Sequence, residues 1–188
     1  MNPVLLDFPA QFETKRLFGR APRPGDGAAL NAAVCESIEE LRVWMPWAQE
    51  APSPDESEAT VRRFSAEYWN RNDIYFFLFD RKTQLVGATG FHRIDWEVPR
   101  FEIGYWLRTS RHGEGLATEA AQGMAKFAFE DLNAKRVEIR CAVENEKSAA
   151  VARRAGFELE STLRNWTRRP DGKLCDTLVF ALTKNEEA

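Results

Sequence analysis

The chain has 188 residues, of which 44% are hydrophobic and 29% are charged, a composition typical of a globular protein, here expected as one domain over 1–188. The net charge of −3 argues against direct nucleic acid binding, so any anionic ligand has to be bound by local dipoles and amides. Three scattered cysteines and two histidines predict neither a disulfide framework nor a metal site. Without a signal peptide or a long apolar stretch, we expect a cytoplasmic enzyme that does not bind membranes.

The first part of the chain contains strand and helix signals in turn. A strand is predicted over 14–20, followed by a helix over 28–36 that Asp26 caps. Capping-box spacing at Ser37–Glu40 predicts a second, short helix. The same spacing at Ser53–Glu56, with proline at the first helical position, predicts the start of a long helix.

After residue 73 the apolar pattern changes from helical to strand periodicity. An apolar stripe from Leu116 to Ala128 predicts one more long helix, and a short helix over 148–155 ends at Gly156. The predicted strands are 74–80, 85–94, 101–108, 136–143, 157–163 and 174–182. This order predicts an α/β (α+β) fold, with an antiparallel first half and a strand-helix-strand crossover in the second.

Two glycines, Gly113 and Gly115, lie between a predicted strand and a predicted helix. A tight turn alone would explain them. Their position also fits an anion cradle, in which free amides at a helix N-terminus bind a phosphate group. The third glycine of a dinucleotide-binding fold and the Gly-Lys-Ser/Thr of a P-loop are missing, so neither of those two motifs applies.

The stretch 112–117 resembles the Gln/Arg-x-x-Gly-x-Gly/Ala pyrophosphate loop of the GNAT N-acetyltransferases, with histidine in the first position. The resemblance continues at 102–107, 140–148 and 154–157 and covers nearly the whole chain. Residues 41–47 resemble a segment of the RimL/RimJ group, which acetylates N-termini of ribosomal proteins, and the serine-specific RimL branch is the most similar. The resemblance implies a GNAT fold with a mixed sheet of about seven strands flanked by helices, acetyl-CoA as co-substrate and no metal.

The resemblance also implies which residues bind acetyl-CoA. Backbone groups of the glycine stretch bind the pyrophosphate, and Asn145 bonds to the pantetheine arm. The residues expected at this co-substrate are Leu107, His112, Gly113, Glu114, Gly115, Leu116, Ala117, Thr118 and Asn145.

Direct attack of an amine on a thioester requires a proton acceptor, an oxyanion donor and a donor to the departing thiolate. Glu102, an acidic residue in an apolar strand, is the expected base, with a solvated side chain as the alternative. His92 is a second candidate, as a base or as a positioner of the acceptor, and a structural role is equally open. Ser148 is the expected acid and helix capping its alternative role. Cys141 is interpreted as strand core rather than as a nucleophile.

Trp44 and Trp47 are expected to line the acceptor site, with core packing as an equal alternative. The basic stretch 164–169, which contains Trp166, is interpreted as a solvated loop in preference to an anion-binding surface. The resemblance favours the N-terminal amine of a protein, such as a serine-initiated ribosomal protein, as acceptor. A small amine (a polyamine or an aminoglycoside) and a non-catalytic acyl-CoA sensor are the alternatives. Whether the chain is a monomer or a homodimer stays open.

Overall fold

The computed structural model describes residues 2–184. Within this range, one mixed sheet has the strand order β1-β2-β3-β4-β5-β6-β8-β7. The strands are β1 Gln11–Glu13, β2 Leu17–Arg20, β3 Ile74–Asp80, β4 Leu85–Asp95, β5 Arg100–Leu107, β6 Arg136–Ala142, β7 Glu158–Arg168 and β8 Leu174–Thr183. The helices are α1 Gly27–Trp44, α2 Pro54–Asn70, α3 Leu116–Asp131 and α4 Glu146–Arg154, with 3₁₀ turns at Pro3–Leu5 and Thr109–Arg111.

The described part of the sheet has eight strands rather than about seven, because the segment predicted as one strand over 14–20 is preceded by a separate strand. The chain turns at Thr14, whose amide donates to the Leu17 carbonyl at 2.9 Å and whose hydroxyl accepts from the Leu17 amide at 2.9 Å. The turn makes β1 and β2 antiparallel neighbours. Three residues are too few to produce a recognisable alternation, so β1 was not predicted.

The predicted break in the first helix is wrong, since α1 continues through Ser37. This side chain is fully buried, and its hydroxyl accepts a hydrogen bond from the Thr109 amide at 3.1 Å. Asp26 occupies the N-cap position without capping, because its carboxylate accepts from Arg20 instead, at 2.6 and 2.8 Å. Other side-chain contacts therefore override both local signals, one with a residue six positions earlier and one with a residue 72 positions later.

The second helix begins as the sequence predicts. The Ser53 hydroxyl accepts from the Glu56 amide, and the Glu56 carboxylate accepts from the Ser53 amide, which completes the capping box of α2. No helix in residues 2–184 has the length and apolar content needed to cross a membrane.

Helices cover both faces of the sheet. α1 and α2 pack on the face that includes Phe77 and Ala88, whereas α3 and α4 pack on the face that includes Phe76 and Phe91. Because successive strand residues point to opposite faces, a strand buried on both sides is a continuous apolar run, as in β3.

The predicted crossover is confirmed. β5 and β6 are joined by α3 and run parallel, whereas the other pairs of neighbouring strands are antiparallel. The pairing of β5 with β6 covers only the first three residues of each strand and ends at Glu102 and Glu138. Beyond this point the strands separate. We call the resulting gap, between residues 103–107 of β5 and 139–142 of β6, the β5–β6 opening.

Candidate active site

A cavity of about 1010 Å³ lies at the β5–β6 opening. Its lining includes Trp106, which packs towards α1 and α2, and Tyr105, which packs towards α3 and α4. The cavity is therefore accessible to groups from both faces of the sheet. Six of the predicted site residues line it, namely Trp44, Trp47, His92, Glu102, Asn145 and Ser148. Of the other predicted residues, Leu107 is the last residue of β5, and residues 112–118 lie at the glycine loop and the start of α3.

The glycine loop, residues 112–115, forms an open backbone cradle. Gly113 and Gly115 have φ angles of 80° and 77°, in the left-handed region that favours glycine. A Cβ at Gly113 would meet no atom within 4 Å, and one at Gly115 would meet only Arg16 Nη2 at 3.6 Å. No side chain caps α3, so its first amides are left for a ligand. The cradle thus fits a pyrophosphate group, as the sequence predicts.

Ion pairs hold the glycine loop in place. Arg111 lies 2.8 Å from Asp80 and 3.0 Å from Glu114. Arg16 donates to the Glu114 carbonyl at 2.8 Å and pairs with Glu119 at 2.6 Å. Neither arginine was predicted at this site, and Arg16 is 98 residues from Glu114 in the chain and meets it only in the fold.

The backbone just before the loop is tied to α1 and to the end of β5. Arg108 is buried and lies 2.6 Å from Glu36. A ring nitrogen of His112, Nε2, lies 3.1 Å from the Leu107 carbonyl, so this side chain closes the turn. These contacts fix the end of β5 relative to the start of α3.

Two hydroxyl groups meet on the side of the cavity formed by α4. The Ser148 amide donates to Asn145 Oδ1 at 3.0 Å, which caps α4 and leaves the Ser148 hydroxyl for another partner. That partner is the Tyr105 hydroxyl, at 2.9 Å. Burial raises the pKa of Tyr105 to about 12, so its phenol remains a proton donor near neutral pH. The sequence analysis treated Tyr105 as part of an apolar strand and missed it.

Cys141 lies beside this hydroxyl pair but is part of the core. Its side chain is buried, and burial raises the pKa of its thiol above the ordinary value. A protonated, buried thiol is a poor nucleophile, in agreement with its interpretation as strand core.

Glu102 lies on the α1–α2 side of the sheet and is ion-paired. Its two oxygens accept from Arg93 Nη1 at 2.6 and 2.7 Å, and one of them lies 3.3 Å from Arg140 Nε. Only 15% of its side chain is exposed. The alternative of a freely solvated glutamate therefore does not describe this side chain.

The pairing of Glu102 continues along β6 as an ion-pair ladder. Arg140 also donates to Glu138 at 2.7 Å, and Glu138 accepts from Arg136 at 2.6 Å. The Arg136 guanidinium in turn pairs with Glu160 on β7. We refer to the chain of contacts from Arg93 to Glu160 as the ion-pair ladder.

His92 pairs with Glu102 in the register of β4 and β5. Its Nδ1 atom lies 3.2 Å from Asp73 Oδ2. The same carboxylate oxygen accepts from the Tyr75 hydroxyl at 3.0 Å. The imidazole therefore has a fixed partner on one nitrogen, a role that sequence reasoning did not foresee for Asp73.

The tryptophans predicted at the acceptor site line the cavity. The Trp47 ring lies 6.2 Å from that of Trp106 and is 55% exposed, and the Arg169 guanidinium lies 5.4 Å from the Trp44 ring centre. Residues 166–169 of the stretch 164–169, which was interpreted as a solvated loop, also contribute to the lining. The acceptor side is thus an aromatic wall with basic groups at its edge. Among residues 2–184 no group of three side chains is arranged to hold a metal ion.

Comparison with protein families gives a match of residues 16–158 to the acetyltransferase (GNAT) domain. The chain is 31% identical over 169 residues to a Bacillus subtilis protein named "Putative ribosomal N-acetyltransferase YdaF", covering 89% of this chain and 91% of the relative. It is 30% identical over 131 residues to the ribosomal-protein-serine acetyltransferase of Escherichia coli, covering 70% and 73%.

Solved structures share the fold. The microcin C7 self-immunity acetyltransferase MccE, solved with acetyl-CoA and AMP, has a TM-score of 0.84 at 24% identity, over 91% of this chain and 94% of that chain. RimL, a ribosomal L7/L12 α-N-protein acetyltransferase solved with coenzyme A, has a TM-score of 0.83 at 24% identity, over 94% and 97%. At 24% identity, these two structures show that the chain shares their fold.

Proposed function

Since the chain belongs to the GNAT acetyltransferase family, we propose that it transfers the acetyl group of acetyl-CoA to the N-terminal amine of a protein in the cytoplasm. The observation that carries this proposal is the cavity at the β5–β6 opening. An aromatic wall lines it, and β5, which borders it, leads through residues 108–115 to the uncapped N-terminus of α3. The three unpaired cysteines favour a reducing compartment.

Acetyl-CoA has suitable groups along its whole length. Free amides at the start of α3 would bind the pyrophosphate. The pantetheine arm would extend along the β5–β6 opening, where the strand edges lack each other as partners, with Asn145 beside it. This arrangement brings the thioester to Ser148 and Tyr105.

The reaction joins the acceptor nitrogen to the carbonyl carbon and breaks the carbon–sulfur bond. A β5 amide near Trp106 is the proposed oxyanion donor, since this part of the strand has no β6 partner. The Ser148–Tyr105 hydroxyl pair gives a proton to the departing thiolate. The proton lost by the amine goes to a base on the α1–α2 side, where Glu102 and His92 are the candidates.

A protein N-terminus is a more reactive acceptor than a lysine side chain at physiological pH. An α-amino group has a pKa of about 7.7–8.0 and a lysine side chain about 10.4, so far more of the former is neutral at physiological pH. An aromatic wall can accept the first residues of a peptide, and the name of the Escherichia coli relative indicates a serine-initiated acceptor for that protein.

We expect a Ser-initiated peptide to be acetylated on the order of 100-fold faster, as kcat/KM at pH 7.5, than a lysine side chain, because of the difference in neutral amine. Release of CoA thiol measures the rate. The matched control is the same peptide with a blocked N-terminus and an internal lysine. Comparable turnover of spermidine or an aminoglycoside would support the small-amine alternative. Thermal stabilisation by acetyl-CoA without turnover of any amine would support the sensor.

We expect Ser148→Ala and Tyr105→Phe each to lower kcat about 10-fold, while the Kd for acetyl-CoA stays unchanged. The effect is modest because a thiolate is a weak base that needs little help to leave. The double variant should lose less than the product of the two single effects, since both hydroxyls belong to one hydrogen bond. Steady-state kinetics and calorimetry on the three variants measure this. Fully multiplicative losses would show that the two groups act separately.

A further inference from the structure

We propose that His92 is the catalytic base of this reaction and that Asp73 is the positioning residue that prepares it. The inference rests on the proposed function for its reaction, and it assigns a proton acceptor that the sequence had placed at Glu102. Both His92 and Asp73 line the cavity, on the side where the acceptor amine would enter.

The contact with Asp73 favours one of the two neutral forms of the imidazole. A carboxylate accepts hydrogen bonds but does not donate them, so Asp73 Oδ2 at 3.2 Å favours a proton on Nδ1 of His92. The neutral ring then has its lone pair on Nε2, which is the atom free to accept a proton.

Asp73 is itself held in place. The Tyr75 hydroxyl donates to the same carboxylate oxygen at 3.0 Å, and the Tyr75 ring stacks on Phe64 at a centroid distance of 3.8 Å. Burial, with a contribution from the Asp73 charge, raises the pKa of Tyr75, so the phenol stays a donor. The same ring meets His92 edge-on at 5.3 Å. The imidazole is thus positioned by a polar contact with Asp73 and an aromatic contact with Tyr75.

Gly104 makes room for the imidazole at the β5–β6 opening. A Cβ at this position would lie 2.8 Å from Cδ2 and 2.9 Å from Nε2 of His92. Nε2 therefore lies directly against the β5 backbone, in the part of the strand that has separated from β6. This is where the acetyl carbonyl would be presented to the amine.

Glu102 is less suited to accept the proton. Both its oxygens already accept from Arg93, and Arg140 lies beside one of them. Protonation would have to weaken these charge-assisted hydrogen bonds. Glu102 is therefore the fixed anion between two arginines, and His92 is the neighbour with a free lone pair.

The proton transfer is balanced. As the nitrogen–carbon bond forms, the amine proton passes to Nε2, and Asp73 stabilises the resulting imidazolium through Nδ1–H. The carbon–sulfur electron pair leaves with the CoA sulfur, which takes its proton from the Ser148–Tyr105 pair, and solvent restores both sites. The titratable and charged groups around His92 are Asp73 and Tyr75 at β3, Arg93 on β4, Glu102 on β5, Arg140 on β6, and Arg63 and Glu67 on α2.

The kinetic test compares His92→Gln, Asp73→Ala and Glu102→Gln, with the best amine that the wild-type chain acetylates. We expect kcat to fall about 100-fold in His92→Gln and about 10-fold in Asp73→Ala, with the Kd for acetyl-CoA unchanged. In His92→Gln the rise of kcat/KM with pH should reduce to the part that comes from the acceptor amine alone, whereas Glu102→Gln should keep the wild-type profile. Added imidazole should restore part of the rate of His92→Ala. A wild-type pH profile in His92→Gln, together with a profile reduced to that of the amine in Glu102→Gln, would return the base role to Glu102.

A second measurement does not depend on the acceptor. Because the chain has only two histidines, ¹⁵N NMR of labelled protein resolves each ring. We expect His92 to be protonated on Nδ1 when neutral, and Asp73→Ala to shift it to the Nε2–H form that predominates in free histidine. Gly104→Ala should displace the His92 ring and lower kcat, although the His92 and Asp73 side chains are both still present. An Nε2–H ring in the wild-type protein overturns the proposal, whereas failure to acetylate any N-terminal peptide would overturn only the proposed acceptor.

Discussion

We expect the Gly113→Val variant to bind acetyl-CoA at least about 100-fold more weakly than the wild-type chain. The added side chain would occupy the open cradle, where a Cβ meets no protein atom within 4 Å. Loss of two hydrogen bonds from amides to a charged phosphate costs about 3–6 kcal/mol, and each 1.4 kcal/mol is a factor of ten in Kd. Isothermal titration calorimetry measures the change.

The matched control for this variant is Gly156→Val. Gly156 has a φ of 94°, similar to that of Gly113, and a Cβ there also meets no atom within 4 Å. It follows α4, at the opposite end from Asn145. Both variants therefore carry a similar backbone strain, and only one of them affects the cradle. Equal acetyl-CoA affinity in the two variants would show that the glycine loop is only a turn.

We expect Glu138→Ala to lower the free energy of unfolding by about 3 kcal/mol, because it removes the central anion of the ion-pair ladder. The Glu138 side chain is only 6% exposed and holds both Arg136 and Arg140. Its removal leaves two partly buried guanidinium groups without this partner. Glu160→Ala is the matched control, since Glu160 is 51% exposed and its loss should cost less than about 1 kcal/mol. Urea unfolding of both variants measures the difference.

The contribution of Glu138 to the free energy of unfolding should decrease in acid. Burial raises the pKa of this carboxyl, but the hydrogen bonds from Arg136 and Arg140 outweigh it and hold the pKa below the ordinary 4.5. A carboxyl whose pKa is lowered in the folded state stabilises the protein at pH values above its ordinary pKa of 4.5. This stabilisation is lost as the pH falls through the lower pKa of the folded state. The difference between wild type and Glu138→Ala should therefore be constant between pH 7 and about 5 and narrow in stronger acid. A difference that grows with acid would contradict this account.

Elements with strong local signals were predictable from the sequence. The capping box at Ser53 starts α2, and the apolar run in β3 is a strand buried on both faces. The same capping pattern at Ser37 failed, because its hydroxyl bonds to an amide 72 residues away. β7 extends to Arg168 rather than ending at 163, since pairing with β8 accommodates polar residues on an exposed edge strand.

The site was predictable only in part, because resemblance identifies residues but not their partners. Six predicted residues line the cavity, but Tyr105 and Asp73 were missed. Tyr105 acquires its role from Ser148, 43 residues further along the chain. Asp73 lies just before β3 and pairs with a histidine on β4. Glu102 was assigned as base partly because an acidic residue in an apolar strand needs a reason. The ion pairs of Glu102 with Arg93 and Arg140 give a different reason for its presence there.

The early end of the pairing between β5 and β6 turns the sheet into a partition with a window. In the proposed reaction the two reactants would meet at that window from opposite sides, so neither would have to vacate the site before the other arrives. A large folded acceptor would then stay outside and pass only a short, extended terminus through the aromatic entrance. Selection among such acceptors would depend on how far their first residues project from the folded body, as well as on what those residues are.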